Sequence, residues 1–320
     1  TVSNSQGGAN EEGTESIRFN APLSFTAQNR AVTTTDYETK TLELYPNANS
    51  ITAWGGEDEE TPVYGTVKIA IRPKSGSTLT ETTKNSIVTS LKTFNVASVT
   101  PQIVDPEITN ILLTSTIKYN KNKTALTASD IRSDVLTSIV NYNATTLSRF
   151  DGVFRYSKVS STIDNSNTSI VSNITSIRMR KTFTPTLNSS TTYNVYFRNA
   201  IYNPHSGHNA SSGGIIETSG FKILNNNTVF YLDDDGAGNV RRYYLASGIR
   251  TYTNATQGTI DYSSGQITLN SLNVASISNI RGSTSTVVEL TVTPNSNDVV
   301  PVRDQIVEID IANSNITVTA

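Results

Sequence analysis

The hydrophobic periodicity of this chain changes kind part-way along, and that change restricts the fold more than any single motif. Before about residue 184, apolar residues recur at helical spacing in three places. Ile87, Leu91 and Phe94 form one stripe, Ile131, Val135, Ile139 and Tyr142 another, and Tyr37, Leu44 and Tyr45 a third. Beyond Thr184 only short alternating runs remain, such as Tyr193-x-Val195-x-Phe197, Ile267-x-Leu269 and Val288-x-Leu290-x-Val292. Alternation of this kind marks half-buried strands. The pattern predicts an α+β protein with three segments: an extended arm over 1–30, a sheet-and-helix domain over 31–184, and a β-rich domain over 185–320.

In the middle segment, Val67, Ile69 and Ile71 alternate with Lys68, Ala70 and Arg72, which predicts a strand over Gly65–Arg72. Further strands are expected near Ser50–Trp54, Val99–Val104, Ile108–Tyr119 and Ile174–Phe183. Helices are expected from Thr35 to Pro46, Thr80 to Phe94 and Ser129 to Leu147, with Phe154–Ile163 left unassigned. Thr35-x-x-Glu38 and Thr127-x-x-Asp130 read as capping boxes, and Pro46 as a helix stop. The order suggests a split βαβ arrangement with two helices on one face of a mixed sheet. Pro22 argues against regular structure in the arm. TIDYSSGQITL, residues 259–269, reads as a hairpin.

Composition excludes several classes of function. There are no cysteines, so disulfides, thiolate metal sites and a cysteine nucleophile are ruled out. Lys+Arg (25) nearly balances Asp+Glu (27), which leaves no basic excess for nucleic acid. No apolar run is long enough for a membrane helix. Charged residues make up only 16%, against a wealth of Thr, Ser and Asn, and such a neutral, hydroxyl-rich surface suits large polar interfaces. The missing initiator Met suggests a processed chain or a piece of a longer one.

No catalytic constellation stands out. GxSxG, GxxxxGK[ST] and GxGxxG are absent. His205 and His208, in NPHSGH, have ligand-like spacing but no third ligand before Glu217. In YLDDDGAGN, Asp233 and Asp235 suggest a weak cation loop, yet Ala237 and Tyr244 stand where a calcium loop needs oxygen ligands. Gly55-Gly56-Glu57-Asp58-Glu59-Glu60 is an acidic loop entered by Trp54, the only tryptophan. The reading is of a protein that is not an enzyme, with no cofactor and no small-molecule substrate. The alternative is a receptor- or carbohydrate-binding module built on the tyrosine-rich strands.

One stretch carries a specific resemblance. Ala21-Pro22, Gln28-Asn29-Arg30-Ala31-Val32-Thr33, Asp36-Tyr37, Tyr45-Pro46-Asn47, Trp54-Gly55-Gly56-Glu57, Gly65, Val67-Lys68-Ile69 and Pro73-Lys74 lie within residues 15–76. This pattern resembles the wedge ring proteins of T4-like phage baseplates and, more broadly, the baseplate J-like family of contractile tails. The resemblance is looser to about residue 184 and weaker beyond. It implies the carboxy-terminal part of such a protein, located in the virion tail baseplate after assembly in the host cytoplasm. It also implies two copies per wedge, six wedges and a closed ring that persists through contraction. The implied partners are copies of the chain itself and other wedge proteins. Arg30, Asp36, Tyr37, Trp54, Gly55, Gly56 and Glu57 are read as a structural motif, with Arg30 expected to pair with Asp36 or with backbone carbonyls.

Overall fold

A computed structural model describes residues 13–59, 61–96, 98–207 and 214–320. The chain divides into two compact units, both discontinuous in sequence. The first holds the chain up to Glu107 together with 148–152 and 301–306, and the second holds the rest.

Among the described residues the first unit begins with helix α1 (Thr14–Ala27), where the sequence pattern predicts an extended arm; residues 1–12 of that arm lie outside the described residues. Pro22 removes one backbone hydrogen bond without ending the helix. The helix lies against α2, and Leu23, just beyond the proline, lines a pocket with α2 and β1. Helix α2 (Thr34–Leu44) follows, then strands β1 (Ala48–Gly55) and β2 (Thr66–Pro73), helix α3 (Glu81–Leu91) and strand β3 (Thr100–Val104). The sheet order is β1-β2-β3. β1 and β2 are antiparallel, whereas β2 and β3 are parallel, because α3 carries the chain back between them. Tyr37 from α2, Ile87 and Leu91 from α3, and Ile69 and Ile71 from β2 make the core of this unit.

The helix start differs from expectation. Thr33, not Thr35, is the N-cap, and it pairs reciprocally with Asp36. The Thr33 hydroxyl accepts from the Asp36 amide at 3.2 Å, and the Asp36 carboxylate accepts from the Thr33 amide at 2.8 Å. Glu38 is therefore released from capping, and its carboxylate instead accepts the Ala53 amide of β1 at 2.9 Å.

The second unit contains strand β4 (Glu107–Tyr119, entered from the first unit), helices α4 (Ala128–Tyr142) and α5 (Tyr156–Asp164), and strand β5 (Ile170–Phe183). Thr127 and Asp130 form the expected capping box, and a π-turn over 143–147 extends α4. The strands after α5 are β6 (Ser190–Tyr196), β7 (Glu217–Thr218), β8 (Phe221–Ile223), β9 (Phe230–Asp234), β10 (Asn239–Ala246), β11 (Ile249–Asp261), β12 (Gln266–Ile277), β13 (Val288–Val292), β14 (Gln305–Ile309) and β15 (Asn315–Thr319).

β4 and β5 do not continue the β1-β2-β3 sheet. They pair antiparallel from Asn110↔Arg180 to Tyr119↔Ile170, in a sheet ordered β14-β4-β5-β13-β7, with β15 parallel to β4. Pro106, between β3 and β4, has no N–H to give to a ladder. The strands that the sequence order placed in one split βαβ sheet therefore lie in two sheets, and the protein is α+β in the broader sense.

The remaining strands close into a barrel. The order β11-β10-β9-β8-β12 returns to β11, and β6 adds to β12. The hairpin predicted at 259–269 is present, with Ile260 opposite Ile267. Ile111, Leu113, Val135, Ile139, Leu232, Ile267 and Leu290 belong to one continuous core. The change near Thr184 is thus one of element type, since helix-covered strands give way to strands alone.

Candidate functional site

The sequence motif of residues 28–57 folds as connected local hardware. Arg30 donates to the Gln28 side chain at 3.1 Å and not to Asp36. Asp36 is occupied by the amides of Thr33 and Val32, the latter at 3.1 Å. Burial opposes its ionisation, but these hydrogen bonds outweigh it and hold the carboxyl below the usual range. Tyr37 is wholly buried, and burial, with the neighbouring Asp36 charge, raises its phenol pKa.

Trp54 ends β1 almost fully buried, and its indole N–H donates to Glu59 at 2.6 Å. Glu59 also faces Lys68 at 3.4 Å, so the acidic loop is tied back to β2. The Gly56 carbonyl accepts the Val63 amide at 2.9 Å. A side chain at Gly56 would collide with the Thr66 hydroxyl and the Val63 carbonyl, and one at Gly55 with the Glu57 carboxylate. Gly56 is the position that requires glycine, because the loop backbone winds onto itself here, whereas the Glu57 carboxylate can swing away from Gly55. Glu57 itself is exposed.

A pocket of about 350 Å³ lies between α1, α2 and β1, with Leu23, Leu42, Ala48 and Ile51 in its wall. Among the described residues, Glu38 is the one carboxylate in that wall. Burial raises its pKa, and the Ala53 amide only partly offsets the effect.

The three aspartates at 233–235 do not share a common centre. Asp233, fully buried on β9, accepts Arg241 Nε at 3.0 Å, Arg250 Nη1 at 2.7 Å and the Tyr252 hydroxyl at 2.8 Å. Arg241 stacks on the Tyr252 ring at 4.2 Å and Arg250 on the Tyr243 ring at 4.8 Å. Asp234 accepts the Ile215 and Ile216 amides at 2.6 and 2.9 Å and the Tyr262 hydroxyl at 2.5 Å. Burial and that carboxylate push the Tyr262 phenol well above its ordinary value. Asp235 folds over the turn, accepting the Ala237 and Asn239 amides. Each carboxylate thus faces donors of the protein itself. Among the described residues, no group of three His, Cys, Asp or Glu side chains is placed to hold a metal ion. His205 is exposed, and His208 lies outside the described residues.

A second ionic cluster joins β5 to β13 and the turn after β14. Arg180 is paired with Asp310 and lies 3.1 Å from Glu289, which in turn takes both terminal nitrogens of Arg281 at 3.0 and 2.8 Å. Sequence reading missed Arg180, Arg241, Arg250 and Tyr252. One signal was available for Arg241: it mirrors Asp233 across the Gly236–Gly238 turn, so a hairpin centred there sets the two opposite each other. The partners of Arg180 are too far away in sequence to leave such a signal.

Comparison with known proteins agrees with the motif region. Residues 33–104 match the family model for the baseplate structural protein gp6, C-terminal domain I, and residues 107–182 match C-terminal domain III. Baseplate wedge protein gp6 of Enterobacteria phage T4 is 28% identical over 173 residues, which is 54% of this chain and 26% of that protein. The chain therefore matches about a quarter of the length of that relative. A cryo-EM structure of the anti-feeding prophage baseplate aligns with a TM-score of 0.39 at 11% identity, covering 52% of this chain and 37% of that one. Two adjoining stretches of the chain, 33–104 and 107–182, thus resemble in order the C-terminal domains of a phage baseplate wedge protein.

Proposed function

We propose that the chain is a structural component of a contractile-tail baseplate that makes inter-wedge ring contacts by associating with copies of itself. The in-order match to gp6 C-terminal domains I and III carries this reading. Two features support it. Surface charge is sparse and balanced, so like copies approach without strong repulsion. The buried charges of both ionic clusters are engaged within the chain, which suits a rigid part that works by packing and not by chemistry. Other wedge proteins are the remaining proposed partners, and the motif around Asp36 and Trp54 serves to shape the first unit for these contacts.

The carbohydrate-binding alternative needs an open aromatic platform. The cross-strand row Tyr231, Tyr243, Tyr252 is the best placed, but Tyr243 is only 7% exposed beneath Arg250. Light scattering and sedimentation at increasing concentration test the proposal. Self-association through an interface above about 1,000 Å² is expected. A chain that stays monomeric at high concentration, and that adds nothing to ring formation in a reconstituted baseplate, would overturn it.

A further inference from the structure

One end of the first unit gathers exposed apolar side chains from separate segments. Ala31 pairs with Asn95 in a parallel bridge, and its amide donates to the Phe94 carbonyl at 2.9 Å. Ala31 is wholly buried, so alternation turns Arg30 and Val32 outward. Val96, next after Asn95, falls in register with Val32. The Thr100 amide donates to the Gly65 carbonyl at 2.9 Å, which sets the turn over 96–99 against the end of the acidic loop, where Val63 and Tyr64 lie. Val32 is 62% exposed and Tyr64 81%, and Val63 and Val96 are each a little under half exposed. Phe25, in the last turn of α1 and five residues before Arg30, is exposed as well. Single exposed apolar residues need no explanation, but a group drawn together from three segments marks a contact surface.

Opposite charges flank this group. Arg30 donates to the neutral Gln28 side chain at 3.1 Å. Glu57 and Asp58 are exposed in the acidic loop that ends in Val63 and Tyr64. Among the described residues, none of these three is in an ion pair, whereas Glu59 beside them is tied to Lys68. An apolar centre with a charged rim is the anatomy of a protein interface.

We infer that two copies meet at this end of the first unit about a two-fold axis, with Val32, Tyr64 and Val96 packed across it and Arg30 of each copy facing Glu57 and Asp58 of the other. The inference deepens the proposed self-association and rests on it. A surface with an apolar centre and unlike charges on its two flanks is self-complementary under a two-fold rotation, so both flanks are matched at once. A partner of one charge would match a single flank and repel the other. The two aromatic rings offer roughly 300 Å² of each copy. With the three valines, the pair approaches the ~1,000 Å² that a specific interface needs. A two-fold contact ends at a pair, so it supplies the pairing step and leaves ring closure to a second surface.

Charge reversal tests this arrangement. Arg30→Glu in one chain, and Glu57→Lys with Asp58→Lys in another, are each expected to weaken self-association about tenfold or more, because both flanks then oppose like charges. An equimolar mixture of the two is expected to regain the association of the parent chain, since in the mixed pair each flank again joins unlike charges. Tyr64→Ser is expected to weaken self-association about tenfold. All four positions are exposed, so circular dichroism and thermal melting are expected to stay unchanged. A mixture that associates no better than its components overturns the inference, as does a Tyr64→Ser chain that associates like the parent, and both results leave self-association standing. A parent chain that stays monomeric overturns both.

Discussion

Arg241 on β10 donates its Nε to the Asp233 carboxylate on β9 across a directly opposed pair, at 3.0 Å, with both side chains buried. Arg250 and Tyr252 reach the same carboxylate from β11, so one buried charge links three barrel strands.

Replacing Asp233 with Ala leaves the buried Arg241 without its carboxylate. Removing one member of a buried pair typically costs about 3–5 kcal/mol. Urea unfolding of Asp233→Ala is expected to show a loss of that size, with a smaller loss for Arg250→Ala because Arg250 is partly exposed. Equal stabilities for Asp233→Ala and the parent chain would refute the assigned role.

Tyr37 offers the contrasting case. It is fully buried, yet among the described residues its hydroxyl has no hydrogen-bond partner. Tyr37→Phe is therefore expected to change stability by less than about 0.5 kcal/mol or to raise it. Tyr37→Ala is expected to cost about 3–5 kcal/mol through the cavity it leaves. Thermal melts of both variants separate packing from hydrogen bonding at this position.

Glu38 makes stability fall as pH rises. Its folded pKa is raised above 4.5 by burial, so the folded state holds the proton more tightly than the unfolded chain. The associated stability is present below about 4.5 and is lost as pH climbs through the raised value. Glu38→Gln keeps an oxygen for the Ala53 amide and removes this dependence. The variant is expected to equal or exceed the parent chain in stability at pH 7, with less difference between pH 7 and pH 4. Parallel pH profiles for the two chains would contradict this.

Asp261 behaves in the opposite sense. Hydrogen bonds from the Ser263 and Ser264 hydroxyls lower its pKa from 3.8 to about 2. The stability linked to it is complete above about 3.8 and disappears as pH falls through about 2. Carboxyl titration followed by NMR in a Ser263→Ala, Ser264→Ala double variant is expected to return Asp261 towards 3.8. An unchanged midpoint would show that the serine bonds do not set it.

Local interactions were readable from the sequence by itself. The stripes of α3 and α4, the Thr127–Asp130 cap, the alternation of β4 and the 259–269 hairpin each depend on residues a few positions apart. The gp6-like motif was legible for the same reason, since Trp54, Gly55 and Gly56 are fixed by contacts within one short loop. Tertiary structure decided the rest. Whether β4 joined the first sheet or a second depended on pairing with β5, which begins about fifty residues after β4 ends. Helix α1 runs through Pro22 and lies against α2, a neighbour that the local sequence does not reveal. The fate of Asp233 was set by Arg241 and Arg250, brought together only when β9, β10 and β11 aligned. Backbone propensity and capping act over one or two turns, whereas a buried charge is stabilised by whichever partners the closed sheet places beside it.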